Sequence, residues 1–177
     1  FDAGHFGKAF GVERFDYQQQ HQIHVHTLSG LLHANYRVPN LDYTEFLKAT
    51  QLLTHSLEQV EQAFLRMVFN ILAFNRDDHS KNFSFILQNN EWCLSPAYDL
   101  TYSSGIAGEH TMTVVGEGAN PVQDDMLRVA KKIKLDNKKA IQLIDRVRQS
   151  VSRWLQFAEQ AEVPLQMAQE LKKRFQK

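Results

Sequence analysis

From Val60 onward the apolar residues Val60, Phe64, Met67, Val68, Ile71 and Leu72 recur at helical spacing, and by Phe83 the period has changed to that of a strand. Ser56 and Gln59 form a capping-box pair ahead of the first segment, which predicts a helix over Leu57 to Phe74. Its apolar face is broad enough for a central core helix. The second segment, Phe83-Ser84-Phe85-Ile86-Leu87, is followed by the polar turn Gln88-Asn89-Asn90-Glu91 and then Trp92-Cys93-Leu94, which reads as a β-hairpin ended by Ser95-Pro96. A buried helix that feeds a hairpin through a short polar loop requires an α+β fold.

The remaining elements are consistent with that class and make it mostly helical. Phe1 to Asp16 reads as a hairpin, with Gly4 and Gly7 in the turn and Phe10, Val12 and Arg14 on one face. Tyr17 to Asn40 is polar and rich in histidine, with Ser29-Gly30 and Pro39-Asn40 as breakers, and reads as a long loop with short helical pieces. A short helix is expected over Tyr43 to Thr54. Thr101 to Asn120, which contains Gly105, Gly108, Gly116 and Gly118, has the composition of a mobile loop. Helices follow over Val122 to Lys132, then along a stripe of Ala140, Ile144, Val147, Val151, Trp154 and Ala158, and finally after Pro164.

The charge balance excludes several functions. Twenty basic residues offset twenty acidic ones, so the overall charge directs the chain to neither nucleic acid nor an anionic membrane. One cysteine, Cys93, rules out an intrachain disulfide, and no long uncharged apolar run is present, so a cytoplasmic protein with no membrane partner is expected. A start at Phe1, already inside patterned sequence, reads as a fragment cut within a fold.

The chemistry is concentrated where the two periods meet, in Asn75-Arg76-Asp77-Asp78-His79-Ser80-Lys81-Asn82, with Tyr98-Asp99 just past the hairpin. Phosphoryl transfer from ATP needs a carboxylate to orient and deprotonate the acceptor hydroxyl, and oxygen ligands to hold Mg²⁺ against the phosphates. Protein kinases place these groups in a catalytic loop of pattern H-R-D-x-x-x-x-N and on a later aspartate. Arg76-Asp77 and Asn82 have that spacing, and the hairpin would return Asp99 to the side of Asn82. Asp77 is then the candidate base, and Asn82 and Asp99 the candidate metal ligands. The spacing leaves a second reading open, because Asp and Asn also cap and turn helix-to-strand loops with no catalytic role.

The wording of these segments resembles the carboxy-terminal domain of the HipA family: Asn-Arg-Asp-Asp-His-Ser-Lys-Asn-Phe-Ser over 75–84, Leu-Ser-Pro-Ala-Tyr-Asp over 94–99, and Val-Glu-Arg-Phe-Asp over 12–16. The resemblance runs from the first residues to about Glu117 and is only generically helical beyond. It implies the larger, carboxy-terminal lobe of a fold related to protein kinases and phosphoinositide kinases, with residues 1–16 a hinge hairpin at the end of the amino-terminal lobe and 17–177 the kinase lobe. It further implies an ATP- and Mg²⁺-dependent serine/threonine kinase, the toxin of a toxin–antitoxin pair. By the same resemblance Glu13, Arg14 and Phe15 meet the adenine, Asp77 is catalytic, His79 and Lys81 lie near the phosphates, and Asn82 with Asp99 hold Mg²⁺. Implied partners are a protein substrate such as an aminoacyl-tRNA synthetase, a helix-turn-helix antitoxin of the HipB type, and DNA only through that antitoxin. The chain lacks the family's upstream phosphate-binding loop and ATP-contacting lysine, so the fragment alone is expected to fold without catalysing. The alternative is a truncated, non-catalytic remnant that binds nucleotide or antitoxin.

Other residues carry simpler expectations. His21, His24 and His26 read as hydrogen-bonding loop residues in preference to metal ligands. The Lys131-Lys132-Lys134 and Lys138-Lys139 cluster stands beside Asp124, Asp125 and Asp136 and reads as a solvated helix face. Trp92 and Trp154 are expected in the core, and Cys93 is expected to be buried in a strand.

Overall fold

A computed structural model of the chain describes residues 11–18, 20–35 and 41–175. At its centre lies a sixteen-residue helix, Leu57–Leu72 (α3 in chain order), which buries Val60, Ala63, Phe64, Met67, Val68 and Ile71. It packs between helix α2 (Tyr43–Thr54) and helix α5 (Asn137–Ser152). Ser56 caps α3 by accepting from the Gln59 backbone N–H at 3.4 Å, as expected. The Gln59 side chain does not close the box: its Oε1 accepts from the Leu94 N–H at 2.6 Å and so ties the helix to the neighbouring hairpin. The helix ends two residues earlier than expected because Phe74 adopts a left-handed conformation, φ 52°, which turns the chain out of the helical path.

The hairpin is strands β5 (Ser84–Gln88) and β6 (Glu91–Leu94), in the register Phe85↔Leu94 and Leu87↔Trp92. Asn89 and Asn90 take φ 49° and 63°, the pair of positive values that a two-residue type I′ turn demands and that Asn tolerates better than most residues. A third strand, β3 (His24–Thr27), pairs antiparallel with β5. The Tyr17 to Asn40 segment is therefore more ordered than a loop. It holds β3, the small pair β1 (Tyr17–Gln18) and β2 (His21–Gln22), and the single-turn helix α1 (Leu28–Leu31). Strand β3 is illegible locally because its partner lies some sixty residues away, and β-propensity depends on that partner.

Two further expectations are corrected. The glycine-containing stretch from Thr101 to Asn120 is packed in its second half: strand β7 (Met112–Thr113) pairs in parallel with β4 (Leu41–Asp42), and Met112, Val114 and His110 are buried, whereas Thr101 to Glu109 is mostly exposed. The apolar stripe from Ala140 to Ala158 is two helices, α5 and α6 (Trp154–Gln160), broken at Arg153. The break turns Trp154 so that its Nε1 donates to the Ala168 carbonyl at 2.8 Å, within the last helix, α7 (Leu165–Phe175). Helix α4 (Gln123–Lys132) precedes α5, with Val122 at its N-cap.

The expected hinge hairpin falls mostly outside the described residues, as Gly4, Gly7 and Phe10 do. Val12 and Arg14 are in exposed backbone without a ladder, so no strand crosses them. Trp92, Trp154 and Cys93 are half-buried: Trp92 packs against the core and Cys93 lies in β6, whereas Trp154 stands outside the core cluster. No helix among the described residues is long and apolar enough to cross a membrane.

Candidate functional site

The polar loop after α3 is held open by backbone pairing with the chain that follows the hairpin. Asn75 bridges Ser103 in parallel, the Ser103 N–H donates to the Phe74 carbonyl at 2.9 Å, and the Arg76 N–H donates to the Ser103 carbonyl at 3.3 Å. The Thr111 hydroxyl reaches the Arg76 carbonyl at 3.1 Å. The loop thus lies between two segments that the hairpin brings back, and its end, Ser80–Asn82, is a single 3₁₀ turn that leads into β5.

Asp77, Asn82 and Asp99 converge on the open side. Asn82 Nδ2 donates to the Asp77 carbonyl at 3.0 Å and to Asp99 Oδ2 at 2.7 Å, so one amide spans the loop and the post-hairpin segment. The Asp77 side chain is 59% exposed and Asp99 is exposed as well. Asp99 has φ 55°, an uncommon conformation for a residue with a Cβ, and two neighbouring amides fix it: that of Asn82 on the carboxylate and that of Asn75 on the carbonyl, the latter at 3.2 Å. The Asp99 carboxylate and the side-chain oxygen of Asn82 are hard donors of the kind that Mg²⁺ takes while keeping waters and phosphate oxygens. Among the described residues no group of three or more His, Cys, Asp or Glu could hold a metal ion, so a cation here would draw its other ligands from outside the chain.

The adjacent Asp78 is a different object. It has no exposed surface, and it accepts from Tyr43 OH at 2.6 Å and from the Thr111 N–H at 2.8 Å, with His110 Nδ1 also 2.8 Å away. Burial first, and then the negative charge of Asp78, pushes the Tyr43 phenol well above its ordinary range, so it remains a donor. Tyr43 OH in turn accepts from Asn70 at 2.9 Å, and Asn70 accepts from Asn75 at 3.0 Å. A continuous buried chain of hydrogen bonds therefore runs from the Asp99 carbonyl through Asn75, Asn70 and Tyr43 to Asp78. With its oxygens committed in this way, Asp78 has no access to an acceptor hydroxyl and cannot serve as the base.

The other expected residues are placed as follows. His79 is partly buried, with Nε2 3.9 Å from Asp77 Oδ1, and Lys81 is exposed at the loop's end. Phe15 meets the Tyr98 ring at a centroid distance of 5.7 Å, beside Asp99, whereas Glu13 and Arg14 point to solvent and Arg14 pairs with Asp16 at 2.5 Å. Tyr98 OH lies 2.6 Å from Ser84 Oγ and donates to the Lys81 carbonyl at 2.5 Å. The structure thus brings His79 and Asn82 to Asp77 and, through Asn82, Asp99, keeps Lys81 in the same loop, sets Phe15 against Tyr98, and leaves Glu13 and Arg14 exposed.

Sequence reasoning missed Tyr43, Asn70, Asn75, His110 and the role of Asp78, because their partners lie up to thirty-five residues apart in the chain. It also missed Arg66, whose guanidinium donates to the Ser95 carbonyl behind the hairpin, and whose pKa burial lowers to about 10. The only local signal was the run of polar side chains at Asn70 and Asn75 on and after an otherwise apolar helix face.

The family model of the HipA-like C-terminal domain matches residues 1–155. The chain belongs to that family. A solved HipA, from the Shewanella oneidensis MR-1 toxin–antitoxin system of HipA, HipB and operator DNA, has the same fold, with a TM-score of 0.75 at 16% identity. The match covers 92% of this chain and 46% of that one, so the present HipA-like domain spans about half the length of its solved relative. No curated protein matches. Helices α6 and α7 lie almost wholly beyond the part of the chain that the HipA-like model covers.

Proposed function

We propose that this HipA-like domain is the catalytic lobe of an ATP- and Mg²⁺-dependent serine/threonine protein kinase of the toxin–antitoxin class. The observation that carries the reading is the Asn82 amide joining the Asp77 loop to the Asp99 carboxylate on an open surface. Asp77, exposed and mounted on a loop pinned from both sides, takes the proton of the acceptor hydroxyl as that oxygen bonds to phosphorus and the bridging oxygen leaves with ADP. Asn82 and Asp99 would hold Mg²⁺, which when bound neutralises phosphate charge. Phe15, whose ring meets that of Tyr98, would contact the adenine, and Lys81 would offer positive charge toward the phosphates. The substrate is a protein hydroxyl, an aminoacyl-tRNA synthetase being the class implied by the family. The partner is a helix-turn-helix antitoxin, a reading supported by the solved neighbour's assembly with HipB.

The test is transfer of labelled phosphate by the natural full-length chain to a synthetase panel. Asp77→Asn should lower turnover by roughly 10²- to 10⁴-fold with the fold intact. Asp99→Ala should lower activity in a way that high Mg²⁺ partly restores. Unchanged transfer by Asp77→Asn would remove the base assignment, and an unchanged Mg²⁺ dependence in Asp99→Ala would move the metal site elsewhere.

A further inference from the structure

Between the end of α3, the chain from Tyr102 to Gln123, helix α5 and the α6–α7 pair lies a cleft of about 920 Å³. It begins at Arg76, the residue before Asp77 in the chain. Its cations are Arg76, Arg148, Lys172 and Arg174, and no aspartate or glutamate is among the residues lining it. Its walls are aromatic, with Phe74, Tyr102, Trp154 and Phe175.

Two of the four cations are engaged. Arg76 donates to the carbonyls of Gly108 and Ala119 and lies over the Phe74 ring, and Arg148 pairs with Asp145 at 2.6 Å. Lys172 and Arg174, both on α7 with Phe175, make no ion pair within the described residues. Positive charge without a local counterion, over a concave aromatic floor, is complementary to a segment that carries both carboxylates and large apolar side chains. Nucleic acid fits less well, because two cations without an ion pair among the described residues are few for a phosphate backbone, whereas the lining offers aromatic and apolar surface.

We propose that this cleft holds an acidic, aromatic- or leucine-containing segment of the protein substrate. The proposal rests on the kinase reading for its purpose but not for its measurement. The determinant lies partly outside the shared domain, since Lys172 and Arg174 belong to α7, beyond residue 155. Substrate choice can then differ from one family member to another while the Asp77 site stays the same.

The experiment is fluorescence anisotropy with this chain, no nucleotide, and a labelled short peptide that alternates glutamate with leucine and phenylalanine. The same peptide with lysine for glutamate is the comparator. Saturable binding of the acidic peptide, weakened by added salt, is expected, with none of the lysine version. Lys172→Glu with Arg174→Glu should weaken binding roughly tenfold or more, because two attractions become two repulsions. Lys131→Glu with Lys132→Glu, an equal charge change on the exposed face of α4, should change it by less than about twofold. Equal losses in the two pairs, absence of binding, or tighter binding of a short DNA duplex to the same residues would each overturn the proposal. Asp77→Asn should leave peptide binding intact, so a failure of the kinase reading and a failure of the docking site give different results.

Discussion

Asp78 accepts hydrogen bonds from Tyr43 and Thr111 in a place with no solvent exposure, whereas Asp77, one residue earlier, stands largely in water. The difference follows from the loop: Arg76 and Asp78 are fastened to the chain around Gly108 to Ala119, and the residue between them is turned outward. Removing Asp78 strips a buried charge and leaves Tyr43, His110 and the Thr111 N–H without their acceptor. Asp78→Ala is therefore expected to cost about 3–5 kcal/mol, and Asp77→Ala to stay within about 0.5 kcal/mol of the parent. Urea unfolding followed by circular dichroism compares the two, and equal costs would show that the buried network does not hold the loop. The motif Arg76-Asp77-x-x-x-x-Asn82 was legible in the sequence. Spacing alone favoured Asp77 over the adjacent Asp78, and burial separates the two, with Asp78 enclosed and Asp77 exposed.

Helix α2 shows how an element end is built from distant parts. Asp42 caps it by accepting from the Thr44 N–H at 2.9 Å, Glu45 returns the bond to the Asp42 N–H at 2.7 Å, and Thr113 and Gly116 donate to the other Asp42 oxygen at 2.8 and 2.9 Å. Burial alone would push this carboxyl up, but the bonds from Thr44, Gly116 and Thr113 together outweigh it and hold its pKa below the ordinary carboxylate value. A depressed pKa stabilises the fold at pH above the unfolded value, about 3.9, and that contribution disappears as pH falls through the folded value. Asp42→Ala should thus cost about 1–2 kcal/mol at neutral pH, and the gap from the parent should narrow below about pH 4 in thermal melts. A gap constant with pH would mean that the cap acts without its charge. Helices α2, α3 and α4 were legible because helical period and caps are local. Strands β3, β4 and β7 were not, since each is two to four residues long and exists only through a partner far along the chain.

One hydrophobic cluster joins Leu28 of α1, helices α2 to α5 and the hairpin as far as Val147. Helices α6 and α7 stand apart from it: their buried side chains, Ala158 and Ala168, are not members, and Trp154 joins them chiefly to each other. Unfolding of the main body should accordingly be one transition, while amides of α6 and α7 should show about tenfold or more lower protection from hydrogen exchange than those of α3. Protection of α7 equal to that of α3 would mean that the basic wall of the cleft is as rigid as the core. At this scale the sequence by itself determined the α+β class, the central helix, the hairpin with its Asn-Asn turn, and the loop between them that carries Asp77, Asn82 and the approach to Asp99. All of these depend on period, capping and turn chemistry, which act over a few residues. The tertiary structure alone decided that His110 to Val114 is packed, that Asp78 is a buried post, that the last apolar stripe breaks at Arg153, and that four cations face one cleft. Those outcomes depend on contacts between residues far apart in the chain, where hydrogen bonding and burial in three dimensions, not local propensity, set the lowest free energy.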